Sequence, residues 1–223
     1  MAEALAVLAE APVRRPRGRP RKPPEALDEG NRRQKLLRVA ARLFRRQGFA
    51  ATTTRDIAAA AGMRSGSPFY HFESKGALLA AVVEQGMRAA LQRQAQALAA
   101  SQQAAEAPEA LLRRLVRTHF DVLLGPGSDF IPVMLYEWRS LSTEQRAAIA
   151  RLQREYEAAW SGVLDALCRA GRIRADARAA RLMCLGALNW SVQWYKPGMG
   201  ATLDQLTEQA MLLFLPDPTR RPA

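Results

Sequence analysis

From residue 31 onward, apolar residues recur every three or four positions, the spacing of one helix face. Leu36, Ala40, Leu43 and Phe44 share one face of a first predicted helix, Asn31–Gln47, with Arg38, Arg42, Arg45 and Arg46 largely off it. Gly48 is placed to end it. A short second helix is predicted at Thr54–Ala61, with Thr53 as its cap, Asp56 completing a capping-box-like start and Gly62 closing it. A third is expected at Gly66–Phe72, and a fourth from Lys75 toward residue 100. Pro108–Leu124, about 130–140, a long helix from Ser142 or Thr143 to Gly171, Ala175–Tyr195 and Thr202–Leu215 complete the set. On the long helix Ile149, Leu152, Tyr156, Trp160, Val163 and Leu167 step by three and four. No stretch shows the alternation of a strand. The expected fold class is all-α: an N-terminal three-helix helix-turn-helix domain and a C-terminal helical ligand-binding and dimerisation domain.

The first 30 residues break this pattern. Prolines at 12, 16, 20, 23 and 24 interrupt any period, so a disordered arm is expected. The organisation that follows is an arm (1–30), a helix-turn-helix domain (31–75), a helical body (76–216) and a short tail (217–223).

Composition adds direction. Of 223 residues, 48% are hydrophobic, enough for a substantial core. The formal net charge is +12, and residues 1–75 carry 16 Lys/Arg against 7 Asp/Glu. A basic end on a nearly balanced body points to an anionic partner met by that end, with nucleic acid favoured over an acidic membrane surface. The chain has no apolar run of about 20 residues, and the basic residues follow the apolar start instead of preceding it, so neither a span nor a secretory signal is read and a cytoplasmic location is expected. Cys168 and Cys184 have no metal-type spacing and read as reduced core residues. Two histidines without paired carboxylates suggest no metal, and no cofactor is expected. The absence of nucleophile, phosphate-loop and dinucleotide motifs argues against an enzyme.

Two short helices around a glycine turn have the form of a helix-turn-helix, which Ile57, Ala58, Ala61, Met63 and Phe69 could lock together. Pattern alone leaves an ordinary helical hairpin equally open. The stretch Gly48-Phe49, Thr53-Thr54-Arg55-Asp56-Ile57-Ala58, Ala61-Gly62-Met63 and Gly66-Ser67-Pro68-Phe69-Tyr70-His71-Phe72-Glu73-Ser74-Lys75-Gly76-Ala77-Leu78 closely resembles the N-terminal domain of the TetR/AcrR family of transcriptional regulators. That resemblance covers residues 31–80. It implies a three-helix DNA-binding domain, a larger domain that dimerises and takes a small effector, and repression more than activation. Carried over by position, Ser65, Gly66, Ser67, Phe69, Tyr70 and His71 would face the major groove, while Thr53, Thr54, Arg55 and Lys75 would meet phosphates. Phe72 would pack inward. Pro68 departs from the apolar residue more usual there and is tolerated in a first helical turn.

Arg14–Pro24 holds six cations and no acid, and Arg17-Gly18-Arg19-Pro20 resembles an AT-hook. Arg17, Arg19 and Arg21 would enter a narrow minor groove or add non-specific attraction to phosphate.

In the resembled family, bulky residues between the body helices line an effector cavity. Leu115, His119, Leu123, Met134, Tyr136, Trp138, Trp160, Leu164 and Trp190 are the residues expected to do so here, against the alternative of a plain core. The segment Asn189–Gly198 resembles a subgroup that includes regulators of fatty-acid and steroid degradation, where acyl-CoA thioesters often serve as effectors. The last two helices would form a four-helix bundle with those of a second copy, through Leu182, Leu185, Gly186, Trp194, Leu206 and Leu213, with Cys184 and Ala187 easing close packing. The expected function is a homodimeric regulator released from a palindromic operator by a small apolar effector, perhaps an acyl-CoA. The alternative is an AT-hook-assisted architectural DNA-binding protein without an effector.

Overall fold

The computed structural model describes residues 24–63, 70–102 and 106–215, with the side chains of 24–29 and 100–102 left aside. Among the described residues there are eight α-helices and no strand. They are α1 (Pro24–Ala51), α2 (Thr54–Ala60), α3 (Lys75–Gln102), α4 (Pro108–Leu124), α5 (Phe130–Glu137), α6 (Thr143–Arg169), α7 (Ala177–Trp194) and α8 (Leu203–Phe214).

Most boundaries follow from local chemistry. Ser142 and Thr202 each accept the amide three residues on and receive a glutamine side chain in return, which fixes the starts of α6 and α8. Gly171, at φ 68°, follows α6 in a conformation that favours glycine. Two boundaries differ from expectation. α1 begins at Pro24, ahead of the apolar period, because Glu25-Ala26-Leu27 are good helix formers, while burial starts only at Leu36. The segment expected as one helix at 130–140 divides into α5 and a 3₁₀ turn, Trp138–Ser140.

α3 is the central strut and touches α1, α4, α5 and α6. Its closest approach is at Gly86, where an added Cβ would stand 2.6 Å from the Phe130 Cβ. α4 packs on α8, α6 on α7, and α5 bridges α1 and α3. The core runs from Leu36, Phe44 and Ile57 in the head to Trp160, Leu164 and Leu167 in the body without a break. Cys168 and Cys184 are both free thiols; burial pushes that of Cys184 up to about 11. No helix among the described residues is long and apolar enough to cross a membrane.

Candidate DNA-binding head and effector cavity

The α2 entry is built from three residues. Thr53 accepts the Asp56 amide at 3.1 Å, and the Asp56 carboxylate accepts the Thr53 amide at 2.8 Å and its hydroxyl at 2.6 Å. Those bonds hold the Asp56 carboxyl below its usual range. Ile57 and Ala58 turn inward, and Ala61 and Gly62, at φ 66°, close the helix. Arg55 is exposed and Thr54 half-buried, with their amides in the first turn, where no intrahelical acceptor exists. Tyr70 is 78% exposed and packs edge-on to His71, while Phe72 is buried beneath the Arg33 guanidinium. Arg17, Arg19, Arg21, Ser65, Gly66, Ser67, Pro68 and Phe69 lie outside the described residues.

Two of the residues expected at phosphates are otherwise engaged. The Thr53 hydroxyl is committed to Asp56. The Lys75 ammonium donates to the Phe49 and Thr52 carbonyls at 2.8 Å each and lies 4.3 Å from the centre of the Phe49 ring. It thereby supplies acceptors at the end of α1 with a donor they would otherwise lack. Three hydrogen-bonding protons and a ring face leave it little to offer a phosphate.

The same corner is tied to the body. Gly48 breaks α1 at φ 81°, which turns the Phe49 amide outward to the Glu137 carboxylate at 2.9 Å. The other Glu137 oxygen takes the Ser140 hydroxyl. One turn earlier on α1, Arg45 pairs with Asp129 at 3.0 Å. Both ends of α5 are therefore fastened to α1.

Between α3, α4, α5, α6 and α7 lies a void of about 420 Å³, part of it open to solvent. Met87, Val122, Ile131, Met134 and Leu185 give it apolar walls. Its polar side is a chain of neutral groups. Tyr156 donates to His119 Nδ1 at 2.9 Å, and His119 Nε2 donates to Asn189 Oδ1 at 3.1 Å, given the tautomer that satisfies both partners. Burial holds the His119 pKa down at about 4, so the imidazole is neutral near pH 7. Burial also raises the Tyr156 phenol, which stays protonated. Gln153 and Glu157 complete the lining.

Of the nine residues expected in the cavity, His119 and Met134 line it. Leu115, Leu123, Trp160 and Leu164 are core residues with no more than 1% exposure. Trp138 is half-buried against that core. Tyr136 lines a separate groove between α1 and α7, and Trp190 is 65% exposed on the outer face of α7. The reason is rotational: Ala180, Cys184, Leu188 and Ser191 form the inner face of α7, which puts Trp190 opposite. Asn189, Tyr156, Gln153 and Glu157 were missed; polar residues bordering the apolar stripe of α6 were the available signal.

The outer face of α7 carries Leu182, Gly186 and Trp194, and α8 presents Leu213, all exposed in the single chain. Leu185 instead turns into the cavity, Leu206 is half-buried against the core, and Cys184 is buried. These three are not on that outer face. Among the described residues no group of His, Cys, Asp and Glu is arranged to hold a metal ion.

A helix-turn-helix head fastened to an all-helical body around a partly enclosed cavity is the architecture of a DNA-binding regulator. The family described as bacterial regulatory proteins, tetR family, matches residues 36–82, and the tetracyclin repressor-like C-terminal domain matches residues 105–216. The chain belongs to the TetR family. It shares 31% identity over 199 residues with the HTH-type transcriptional repressor KstR2 of Rhodococcus jostii (strain RHA1), covering 86% of this chain and 95% of that one. Among solved structures it resembles AibR in complex with isovaleryl coenzyme A and operator DNA, with a TM-score of 0.75 and 25% identity over 83% of this chain and 98% of that one. It also resembles the superantigen PfiT, with a TM-score of 0.67 and 38% identity over 83% and 96% of the two chains.

Proposed function

We propose that this protein is a homodimeric transcriptional repressor that holds a palindromic operator and releases it when a small apolar effector fills the body cavity. The observation that carries this reading is the double role of α5. Its Ile131 and Met134 form cavity wall, while Glu137 at its end and Asp129 before its start hold α1 of the head. A molecule that pushes on that wall displaces the helix to which the head is fixed, and a ligand acts by such a difference between two states. An acyl-CoA is the effector class to try first, since AibR carries isovaleryl coenzyme A and operator DNA. No catalytic role is proposed.

In this reading Thr54, Arg55, Tyr70 and His71 join Ser65, Gly66, Ser67 and Phe69 at the DNA, and the Arg17, Arg19 and Arg21 arm adds minor-groove or phosphate contacts. Leu182, Gly186, Trp194 and Leu213, together with Met183, Trp190 and Leu212, form the dimer face. That much exposed apolar surface on two adjacent terminal helices is what a partner copy would cover.

The test is fluorescence anisotropy with DNA from upstream of the protein's own gene against scrambled DNA, over a salt series, with and without isovaleryl-CoA. Selective binding that weakens with the thioester supports the whole reading. Selective binding indifferent to it keeps the regulator and discards that ligand. Equal binding to both DNAs, unchanged by the thioester, counts against operator recognition.

A further inference from the structure

The cavity contains one ionisable acid and no cation. No Lys or Arg lines it, and its histidine has both ring nitrogens engaged. The acid, Glu157, is not idle. It receives the Gln153 amide at 3.2 Å and stands 3.6 Å from the Arg181 guanidinium, which also donates to the Ser161 hydroxyl at 2.7 Å. Both side chains of that pair are three-quarters covered, and the Arg181 Nε is buried without a partner. A ligand carboxylate entering here would find its natural counter-ion already taken and a second carboxylate beside it.

An uncharged acceptor meets different conditions. Asn189 gives its carbonyl oxygen to His119 and keeps its NH₂ group at the cavity surface. That group can donate to a carbonyl oxygen, while Met87, Val122 and Ile131 take an alkyl chain.

We infer that Glu157, by occupying Arg181, makes the cavity select an uncharged carbonyl group, as in an amide, ester or thioester, and reject the corresponding free carboxylate. This rests on the cavity being the effector site. It makes the regulator respond to an acid only after the acid's carboxyl group has been condensed to a neutral derivative. The physical basis is that a buried charge without a partner is far costlier than a neutral group with one hydrogen bond.

The test is calorimetric titration of the full chain at pH 7 with octanamide and with octanoate, two ligands of equal chain length that differ in charge. The native protein is expected to bind octanamide at least about tenfold more tightly than octanoate. Glu157→Gln keeps the shape and releases Arg181, so its octanoate affinity should rise by about tenfold or more, with octanamide changed less than about twofold. Equal or tighter octanoate binding by the native chain overturns the inference, as does a Glu157→Gln variant no better for octanoate. Binding of neither probe by the native chain overturns it together with the cavity's role as effector site. DNA binding measured on the same preparations reports separately on the regulator reading, and shows that the variant remains folded.

Discussion

The Glu137 carboxylate accepts the backbone amide of Phe49 at 2.9 Å, joining the last turn of α5 to the broken end of α1 across 88 positions of sequence. The amide is available only because Gly48 leaves helical geometry at φ 81° and ψ 161°. A side chain of the body thus holds a main-chain group of the head, and it holds it by a charge-assisted bond of the stronger kind.

Glu137→Ala should therefore do two things at once. It should lower stability by about 1–2 kcal/mol, discounted from the range for charged hydrogen bonds because the site is only partly buried. It should also blunt effector-driven release while DNA binding without effector persists. Urea unfolding reads the first and anisotropy with isovaleryl-CoA the second. A variant that loses stability yet responds fully to effector would dismiss Glu137 as a coupling residue.

Lys75 offers a clean separation of two roles. If it satisfies the end of α1, as its bonds to Phe49 and Thr52 indicate, Lys75→Met costs about 1–3 kcal/mol of stability. The slope of log affinity against log salt then stays unchanged. Loss of a phosphate contact would instead reduce that slope by about 0.9. Parallel unfolding and salt-titration curves decide.

His119 sets a pH dependence whose sign is fixed. Its folded pKa is about 4, against 6.5 for the unfolded chain. Above pH 6.5 both states are neutral and the group contributes no slope. Between 6.5 and 4 the unfolded chain takes up a proton that the folded one refuses, so stability falls as pH falls, by roughly 3 kcal/mol over the window. His119→Gln should flatten that part of the profile relative to the native protein. Urea midpoints taken every half unit from pH 7 to pH 4 give the comparison, and identical profiles would contradict it.

Gly86→Ala pits two effects against each other. Alanine gains up to about 1 kcal/mol in helix propensity. Its Cβ, however, meets the Phe130 Cβ at 2.6 Å and backbone carbon at 3.4 Å, neither of which is the end of a flexible side chain. Separating α3 from α5 should cost about 1–3 kcal/mol, so net destabilisation is expected. A raised melting temperature would mean that the two helices part without cost.

Much of this fold is legible in the chain. Ser142 with Gln145 and Thr202 with Gln205 announce their helices, and the apolar steps from Ile149 to Leu167 describe the buried face of α6. The cavity is harder to read because periodicity finds the inside of a helix, and the inside contains both core and cavity. Trp160 and His119 pack against each other, at 5.6 Å between ring centres, yet only the histidine borders the void. α7 is apolar on both faces, so the pattern alone gives no reason to place Asn189 inward and its neighbour Trp190 outward. Lys75 looks like a phosphate ligand in sequence because its partners are main-chain carbonyls, which carry no residue signature.

The brevity of α5 has a mechanical consequence. Its eight residues make a rod about 12 Å long, two turns, whereas the 28 residues of α3 extend about 42 Å. Long helices absorb a push by curving gently. A two-turn rod pinned at both ends has no length over which to curve, so a displacement at its middle arrives at its anchors nearly undiminished. α5 can therefore serve as a stiff crank, and the sensitivity of the whole device is set by how little slack the two pins allow.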